Sequence, residues 1–468
     1  LTYFNLFESD VKKIHFIGIG GSSMSGLAEI VINLGYKVSG SDIKASDATQ
    51  KLEKLGARIH IYHNEDNIED PDLVVYTVAV KENNPELCKA SALGIPTIDR
   101  AALLGQLMKK YPFSVSISGT HGKTTTTSMA AMIMLEAALN PTVHIGGELA
   151  SIGGNTRIGS GKYFLTEACE YYGSFLKFNP FIAVVLNIEL DHVDYFKNID
   201  HVKDTFLRFA SLVPPEGYVI GCADDSNIRW LLDGVCCNKI TYGIENQNAD
   251  WTAKEITFDQ RGCASFIVFK NKERMGSIDL NVPGIHNVSN SLAAICACYT
   301  LGCGMEAIRE GLFKFNGTHR RFELKGSYND IKVIDDYAHH PSEVKATLNA
   351  ARNASRRKVW CVFQPHTYTR TKFLLDDFAA AFSDADTVIV SDIYAAREAD
   401  TGEIHASVLA DRIKFSGKDA LYLDSFDAIA EYLEENVSSG DLVITMGAGD
   451  IYKAGELFLK KLTERIEV

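Results

Sequence analysis

The chain has no surplus of basic charge, no CxxC cysteine pair, no apolar run long enough to span a bilayer, no repeat at a fixed period and no low-complexity segment. Each absence narrows what the protein can do. Its 47 basic and 60 acidic side chains leave a net charge of −13. Nucleic-acid backbones and anionic membranes are gripped by excess lysine and arginine, so a general surface for either is excluded and any anion must be held locally. The longest apolar stretches, such as Met129 to Leu135, fall far short of the roughly 18 residues that cross a bilayer. Leu1 to Lys13 does not read as a targeting segment. The ten cysteines are scattered, and the closest neighbours, Cys236-Cys237 and Cys296-x-Cys298, lack zinc-finger or redox spacing. Reduced thiols and a cytoplasmic location are expected. At 468 residues the chain is long enough for about two to four domains, each burying its own core without staples.

What is present is an alternation of β-rich and helical segments. Lys12 to Ile17, Met24 to Leu34 closed by Gly35, Tyr36 to Ser41 and Leu73 to Val80 follow one another at the spacing of a parallel sheet. The pattern pauses at Tyr111-Pro112. A strand from Ser114 to Ser118 then feeds a glycine-rich loop and a long helix, Lys123 to Leu139. Between Asp250 and Val282 strict alternation, as in Ala264 to Phe269, predicts antiparallel strands at an edge, and helices return at Asn287 to Leu301. After Arg320-Arg321-Phe322 a third series runs through Val359 to Phe363, Phe373 to Phe382, Thr387 to Asp392 and Leu442 to Met446, with a last helix from Tyr452. The expectation is an α/β protein of three domains: a Rossmann-like unit over 1–111, a central P-loop ATPase-like unit with an antiparallel edge over 112–322, and a Rossmann-like C-terminal unit over 323–468.

Two loops are built to hold phosphate. Gly18-Ile19-Gly20-Gly21-Ser22-Ser23-Met24 joins the first strand to a helix, and Ser41-Asp42 ends the second strand, where a carboxylate can meet a ribose. The dinucleotide fingerprint asks for glycine at position 23, where serine stands. A nicotinamide cofactor, another nucleotide diphosphate and a plain glycine turn all stay open at this loop. The second loop, Gly119-Thr120-His121-Gly122-Lys123-Thr124-Thr125, is sharper because a strand precedes it and a helix follows. Backbone amides around phosphates, a lysine on the terminal oxygens and a threonine hydroxyl on magnesium are the working parts of a P-loop, although only two residues separate these glycines. Later strands of the same unit end in Glu167-Ala168-Cys169-Glu170 and in Asn187-Ile188-Glu189-Leu190-Asp191-His192. Hard oxygen ligands beside a triphosphate point to Mg2+. Asn287 reads equally as a helix N-cap or a base contact, and Arg321 reads by itself as a surface charge.

In the third unit Asp335-Asp336-Tyr337-Ala338-His339-His340-Pro341 follows a strand and precedes a helix capped by Ser342 with Glu343. Adjacent histidines point in different directions, which argues against the pair sharing a metal and for contact with substrate or nucleotide. His366 and Arg370 leave the next strand in a loop where a carboxylate can bind. Gly447 to Asp450 reads as a turn or a site.

Taken in order, these motifs resemble the Mur ligases over nearly the whole chain. The carriers are the Gly18 to Ser25 loop, Gly119 to Thr124, Glu167, Asn187 to His192, His286-Asn287, Arg320 to Phe322, Asp335 to Pro341 and Gln364 to Thr371. The resemblance implies UDP-N-acetylmuramate and L-alanine as substrates, ATP and Mg2+ as cofactors, and an amide formed through an acyl phosphate. It places the UDP-sugar on Gly18, Gly20, Gly21, Ser22, Ser23, Met24, Ser41, Asp42 and His63. ATP falls to the 119–125 loop with Asn287, Arg321 and Asp336, and Mg2+ to Thr124, Glu167 and His192. Lys123, His192, His339 and Arg370 take part in the chemistry, with His366 and Arg370 on the incoming amino acid. Lys203 stands where relatives carry a carbamylated lysine, and that modification stays open. The expected assembly is a monomer or weak homodimer. The sequence departs from the family at Ser23, at Cys169 to Tyr172 and at Thr367, where relatives carry arginine. A sibling that adds a tripeptide to the same sugar nucleotide, an NAD-dependent oxidoreductase and a non-catalytic nucleotide switch are the rival readings.

Overall fold

The computed structural model describes residues 5–77, 79–355 and 357–464. Each of the three strand-helix series folds as its own sheet. In the first, β1 (Lys13–Ile17), β2 (Lys37–Asp42), β3 (Arg58–Ile61), β4 (Leu73–Tyr76) and β5 (Thr97–Asp99) run parallel in the order β3-β2-β1-β4-β5. The helix after β1 spans Ser22–Asn33 and stops where Gly35, at φ 93°, takes the left-handed conformation that lets Tyr36 donate back to the Val31 carbonyl. Strand β4 ends at Tyr76, short of Val80; of the expected strand's remainder, Val78 lies outside the described residues.

The second sheet holds β6 (Phe113–Ser118), β7 (Thr142–Leu149), β8 (Gly154–Arg157), β9 (Tyr163–Ala168), β10 (Ile182–Val185), β11 (Tyr218–Cys222), β12 (Asn238–Gly243), β13 (Trp251–Phe258), β14 (Cys263–Lys270) and β15 (Glu273–Pro283). Their order is β15-β14-β13-β12-β11-β10-β6-β9-β7-β8, and β13 to β15 form the antiparallel edge. The helix Lys123–Glu136 is buried from Thr126 to Met134 because it lies between the sheet and the helices Ile285–Thr300 and Met305–Phe313. Gly311 permits that approach: a Cβ there would lie 2.6 Å from the Ile133 Cα. The long helix ends at Glu136 rather than Leu139, since Ala138 turns to φ 54° and Leu139 donates back to Met134.

In the third sheet β16 (Glu323–Tyr328) is antiparallel to β17 (Ile331–Asp336), which continues in parallel with β18 (Val359–Phe363), β19 (Thr387–Val390), β20 (Asp419–Tyr422) and β21 (Leu442–Met446) in the order β16-β17-β21-β18-β19-β20. The segment Phe373 to Phe382 divides into two short helices, Tyr368–Phe373 and Leu375–Ala381, that meet at Leu374. Two placements matter for function. Strands β10, β6 and β9 are neighbours, so the loops that follow them share one edge of the second sheet; β17, β21 and β18 do the same in the third. Among the described residues no helix is long and apolar enough to cross a membrane.

Candidate active site between the second and third units

Strand β6 is buried and ends at Ser118, whose hydroxyl donates to the Val184 carbonyl and fixes where the loop begins. Gly119 and Gly122 have φ of 141° and 82°, and a Cβ on Gly122 would lie 2.6 Å from the Asn290 side-chain oxygen, so only glycine suits either position. Asn187, at the end of β10, clasps the loop. It accepts from the His121 amide at 2.7 Å and donates to the His121 carbonyl at 3.2 Å, while the Thr120 amide donates to its backbone oxygen. Lys123 opens the helix. Its ammonium donates to the carbonyls of Gly119 (2.5 Å) and Thr120 (3.0 Å) and pairs with Glu170 at 3.1 Å. Burial pulls the Lys123 pKa down, but the Glu170 charge outweighs it and the net shift is upward, so the amine stays charged.

Thr124 donates to Glu167 at 3.2 Å, and the Gly146 amide donates to the other Glu167 oxygen at 2.7 Å. Burial nonetheless raises the pKa of Glu167, a carboxylate that gains from a cation beside it. Thr124 and Glu167 thus form a pair of hard oxygen donors at the helix N-terminus, suited to Mg2+. His192 is the third residue expected at the metal. Its Nε2 is 3.7 Å from Glu170, its ring stacks on Tyr171 at 4.3 Å, and burial lowers its pKa so that it is neutral. Lys203 lies over the Trp230 ring at 4.5 Å with Asp200 at 3.9 Å.

A cleft of about 230 Å³ runs between this loop and the third unit, lined among others by His121, Gly122, Thr125, Asn287, Arg321 and Asp336. Six of the residues expected to hold ATP therefore face one space. The cleft is smaller than the roughly 300–1,000 Å³ of typical ligand pockets, so it must widen to hold a nucleotide. Asn287 is not the helix N-cap. Gly284 takes that place, and the Asn287 side chain donates to the Pro283 carbonyl and accepts from Asn290, which lies one turn on along the same face. Asn290 carries no sequence signal beyond that spacing. Asp336 accepts from the Phe322 and Ala338 amides, and burial pushes its pKa up to about 6. Arg321 reaches toward Glu343 (3.8 Å) over the Tyr337 ring. Its neighbour Arg320 is a structural staple, bonded to Asp335 and to the carbonyls of Gly447 and Gly449.

The helix Pro341–Ala354 is capped by His340, not Ser342, because Pro341 occupies the first helical position and Glu343 the third. Buried Glu343 accepts from the His339 and His340 amides and lies 3.3 Å from His121 Nδ1 across the seam. His339 Nδ1 donates to the Tyr337 carbonyl at 2.9 Å, which leaves Nε2 as a free acceptor. Burial lowers His339 to about 4 and His366 to about 3, and both are neutral near pH 7. The buried Arg370 guanidinium donates through Nε and Nη2 to one oxygen of Asp191, at 2.9 and 2.8 Å, and through Nη1 to His366 at 2.9 Å. Thr367, at φ 66°, caps the short helix that carries Arg370. An amino-acid carboxylate must share Arg370 with Asp191.

The first unit shows a similar division between loop and support. Gly18 and Gly20 are tied to β2 through the Ser41 carbonyl and the Asp42 carboxylate (2.8 Å each). Gly21 caps the following helix with its amides unencumbered by a side chain. Ser41 donates to buried Glu86 at 2.6 Å, and His63 lies 3.4 Å from the same oxygen. The Met24 side chain is in the core. Ser22 and Ser23 face the second unit: Asn155 donates to Ser22, and the Ser23 hydroxyl bridges His144 (2.7 Å) and Arg100 (2.9 Å). A larger cavity of about 1220 Å³ opens beside this loop, lined by Gly20 and Ser22 and, from the other units, by Asn155, Arg261, His319 and Arg321.

Three family models match the chain in succession: the Mur ligase family catalytic domain over residues 13–112, the Mur ligase middle domain over 117–298 and the Mur ligase glutamate ligase domain over 320–449. UDP-N-acetylmuramate--L-alanine ligase of Acetivibrio thermocellus is 65% identical over 449 residues, 96% of either chain. The crystal structure of UDP-N-acetylmuramate-alanine ligase MurC from Thermotoga maritima superposes with a TM-score of 0.79 at 32% identity, covering 97% of this chain and 99% of that one. A murein peptide ligase from Psychrobacter arcticus gives 0.70 at 26% identity, with 96% and 98% covered.

Proposed function

The chain belongs to the Mur ligase family, and from that premise we infer that it joins L-alanine to the lactyl carboxylate of UDP-N-acetylmuramate, forming ADP and phosphate, as a step in building peptidoglycan precursors. The observation that carries the mechanism is the helix N-terminus of the second unit, where Lys123 and the Thr124–Glu167 pair stand beside Gly122 and Thr125, which line a cleft walled on its other side by the third unit.

A carboxylate repels an amine and has no leaving group, so it must be activated. A substrate carboxylate oxygen attacks the γ-phosphorus of ATP and displaces ADP; the alanine amine then attacks the acyl carbon and expels phosphate. Lys123, drawn off the Gly119 and Thr120 carbonyls, spreads the phosphoryl charge, as a P-loop lysine does. Thr124, Glu167 and His192 would hold Mg2+, which would neutralise the phosphate oxygens. Asn287, Arg321 and Asp336 orient the nucleotide from both walls of the cleft. His339, neutral with Nε2 free, accepts a hydrogen bond from the alanine ammonium, and His366 and Arg370 hold the amino-acid carboxylate. Gly18 to Met24, Ser41, Asp42 and His63 hold the UDP moiety, the Ser23 and Met24 contributions coming from backbone because their side chains are engaged elsewhere. All ten cysteines are free, which suits a reducing cytoplasm.

Phosphate release with UDP-N-acetylmuramate and a panel of L-alanine, glycine, L-serine and the muropeptide tripeptide tests the reading. Release is expected with alanine and not with the tripeptide; the reverse result makes the chain the recycling sibling. Lys123→Ala should lower turnover by about 10²–10³.

A further inference from the structure

The phosphate loop carries a histidine whose side chain meets the third unit as well as the nucleotide cleft. His121 meets Glu189 of its own unit and His340 of the third unit, with one donor atom from each lying within 4.8 Å of the others. His121 Nε2 is 3.5 Å and His340 Nδ1 3.7 Å from the same Glu189 oxygen. We propose that these three side chains form a binding site for a divalent transition metal, with Zn2+ the best match to their chemistry, at the seam between the phosphate loop and the third unit.

Three independent features carry this. First, the donors are two imidazoles and one carboxylate, a set that suits zinc and its neighbours and not magnesium, which keeps to oxygen. Second, each imidazole is held through its other nitrogen. His121 Nδ1 faces the Glu343 carboxylate at 3.3 Å, and His340 Nε2 donates to the Leu190 carbonyl at 3.4 Å. Those outer contacts are the ones that fix tautomer and ring plane in metal sites, and they turn His121 Nε2 and His340 Nδ1 toward Glu189. Third, His121 Nε2 is buried and has no hydrogen-bond partner. A zinc ion bound at about 2.0–2.1 Å puts tetrahedral ligand atoms roughly 3.3 Å apart, so the Glu189 contacts need close by only a few tenths of an ångström. The ion would replace the long 3.4 Å bond from the Ser342 amide to His340 Nδ1 and would share Glu189 Oε2 with the Ser342 hydroxyl that donates to it. Residues 339 and 340 do not share the metal; the chain supplies the partners from 219 and 151 positions away, as 340 − 121 and 340 − 189 give.

A proton competes for the same place. Burial lowers the His121 pKa, but Glu343 and Glu189 outweigh it and push it up to about 9, with neutral His340 and, behind Glu343, Arg321 as the other facing groups. Zinc uptake must therefore displace a proton from His121, so affinity should fall as the pH is lowered. The site stands independently of the substrate assignment above.

Calorimetric titration of the full chain with ZnCl2, without nucleotide, is the test. His340→Asn keeps a good helix N-cap while removing the ligand. The wild type should bind one Zn2+ that His340→Asn loses, with at least a tenfold rise in Kd, while thermal melting without zinc is alike for the two. Equal stoichiometry and Kd in the two proteins, or no binding by the wild type, overturns the site. Should His340→Asn fail to fold, Glu189→Gln is read by the same criterion.

Discussion

The Asp191–Arg370 pair joins the loop after β10 to the third unit, and replacing Asp191 by asparagine asks whether that contact holds the units together. Both side chains are only 7% exposed, so solvent screens the pair little. The Asp191 pKa lies far below the ordinary carboxylate range, since Arg370 overcomes the upward pull of burial. Removing one member of a buried pair typically costs about 3–5 kcal/mol, because the other charge is left uncompensated. Asparagine keeps an oxygen for the guanidinium, which puts the cost near 3 kcal/mol. Within one core that energy would appear as lost stability. Across a seam it is relieved more cheaply when the third unit swings out and water solvates Arg370, so the closure equilibrium should shift by roughly a hundredfold. Small-angle scattering of Asp191→Asn should show a larger radius of gyration, the alanine KM should rise, and the thermal midpoint should stay near that of the wild type. An unchanged radius with a lowered midpoint would refute the argument, since the pair would then be an ordinary core contact in a rigid body.

Asn187→Ala removes both side-chain bonds to the phosphate loop and should raise the ATP KM by about 5–30-fold, the equivalent of roughly 1–2 kcal/mol, with the circular dichroism spectrum preserved. Ser23→Ala leaves buried His144 and the adjoining Arg100 without their shared partner and should cost about 1–3 kcal/mol, read as a lower urea midpoint at constant slope. Burial holds His144 and His366 near 3 and His286 and His339 near 4, against 6.5 when unfolded. Their contribution is complete above pH 6.5 and is lost as pH falls toward 4 and 3, at up to about 1.4 kcal/mol per unit for each group. Asp336, raised to about 6, opposes them between its unfolded value and 6. His121, raised to about 9, adds stability below 6.5 that disappears as pH rises through 9. Urea unfolding in zinc-free buffer should therefore be steepest in its pH dependence on the acid side, and a flat profile between pH 4 and 6.5 contradicts the histidine burial.

What could be read from sequence is whatever depends on short range. The three strand-helix series, the antiparallel edge and the loop before the long helix follow from periodicity and glycine placement, and each is present in the fold. Adjacency of the β10, β6 and β9 ends follows from the parallel rule, which is why Lys123, Thr124 and Glu167 could be grouped beforehand. Caps were less legible. Asn287 and Ser342 have good capping side chains, but Gly284 and Pro341 fix the helix starts elsewhere, so both side chains turn to other partners. Ser23 breaks a fingerprint for a reason invisible in its neighbourhood: its hydroxyl is used 121 residues away, on His144. Glu343 looks from sequence like half of a capping box, and it is one, yet the same carboxylate also meets His121 across the seam.

Three pairings that sequence reasoning did not supply share one property. Asp191 to Arg370, His121 to Glu343 and Glu189 to His340 all cross from the second unit to the third. Local rules orient each side chain at its own strand end but contain nothing about which strand ends of separate sheets will meet. His121, Glu189 and Glu343 also line the cleft that must widen for a nucleotide, so the contacts they make across the seam should break as it opens. Substituting within either sheet should change stability, whereas substituting at the seam should change how the two sheets face each other, and Asp191→Asn separates the two by experiment.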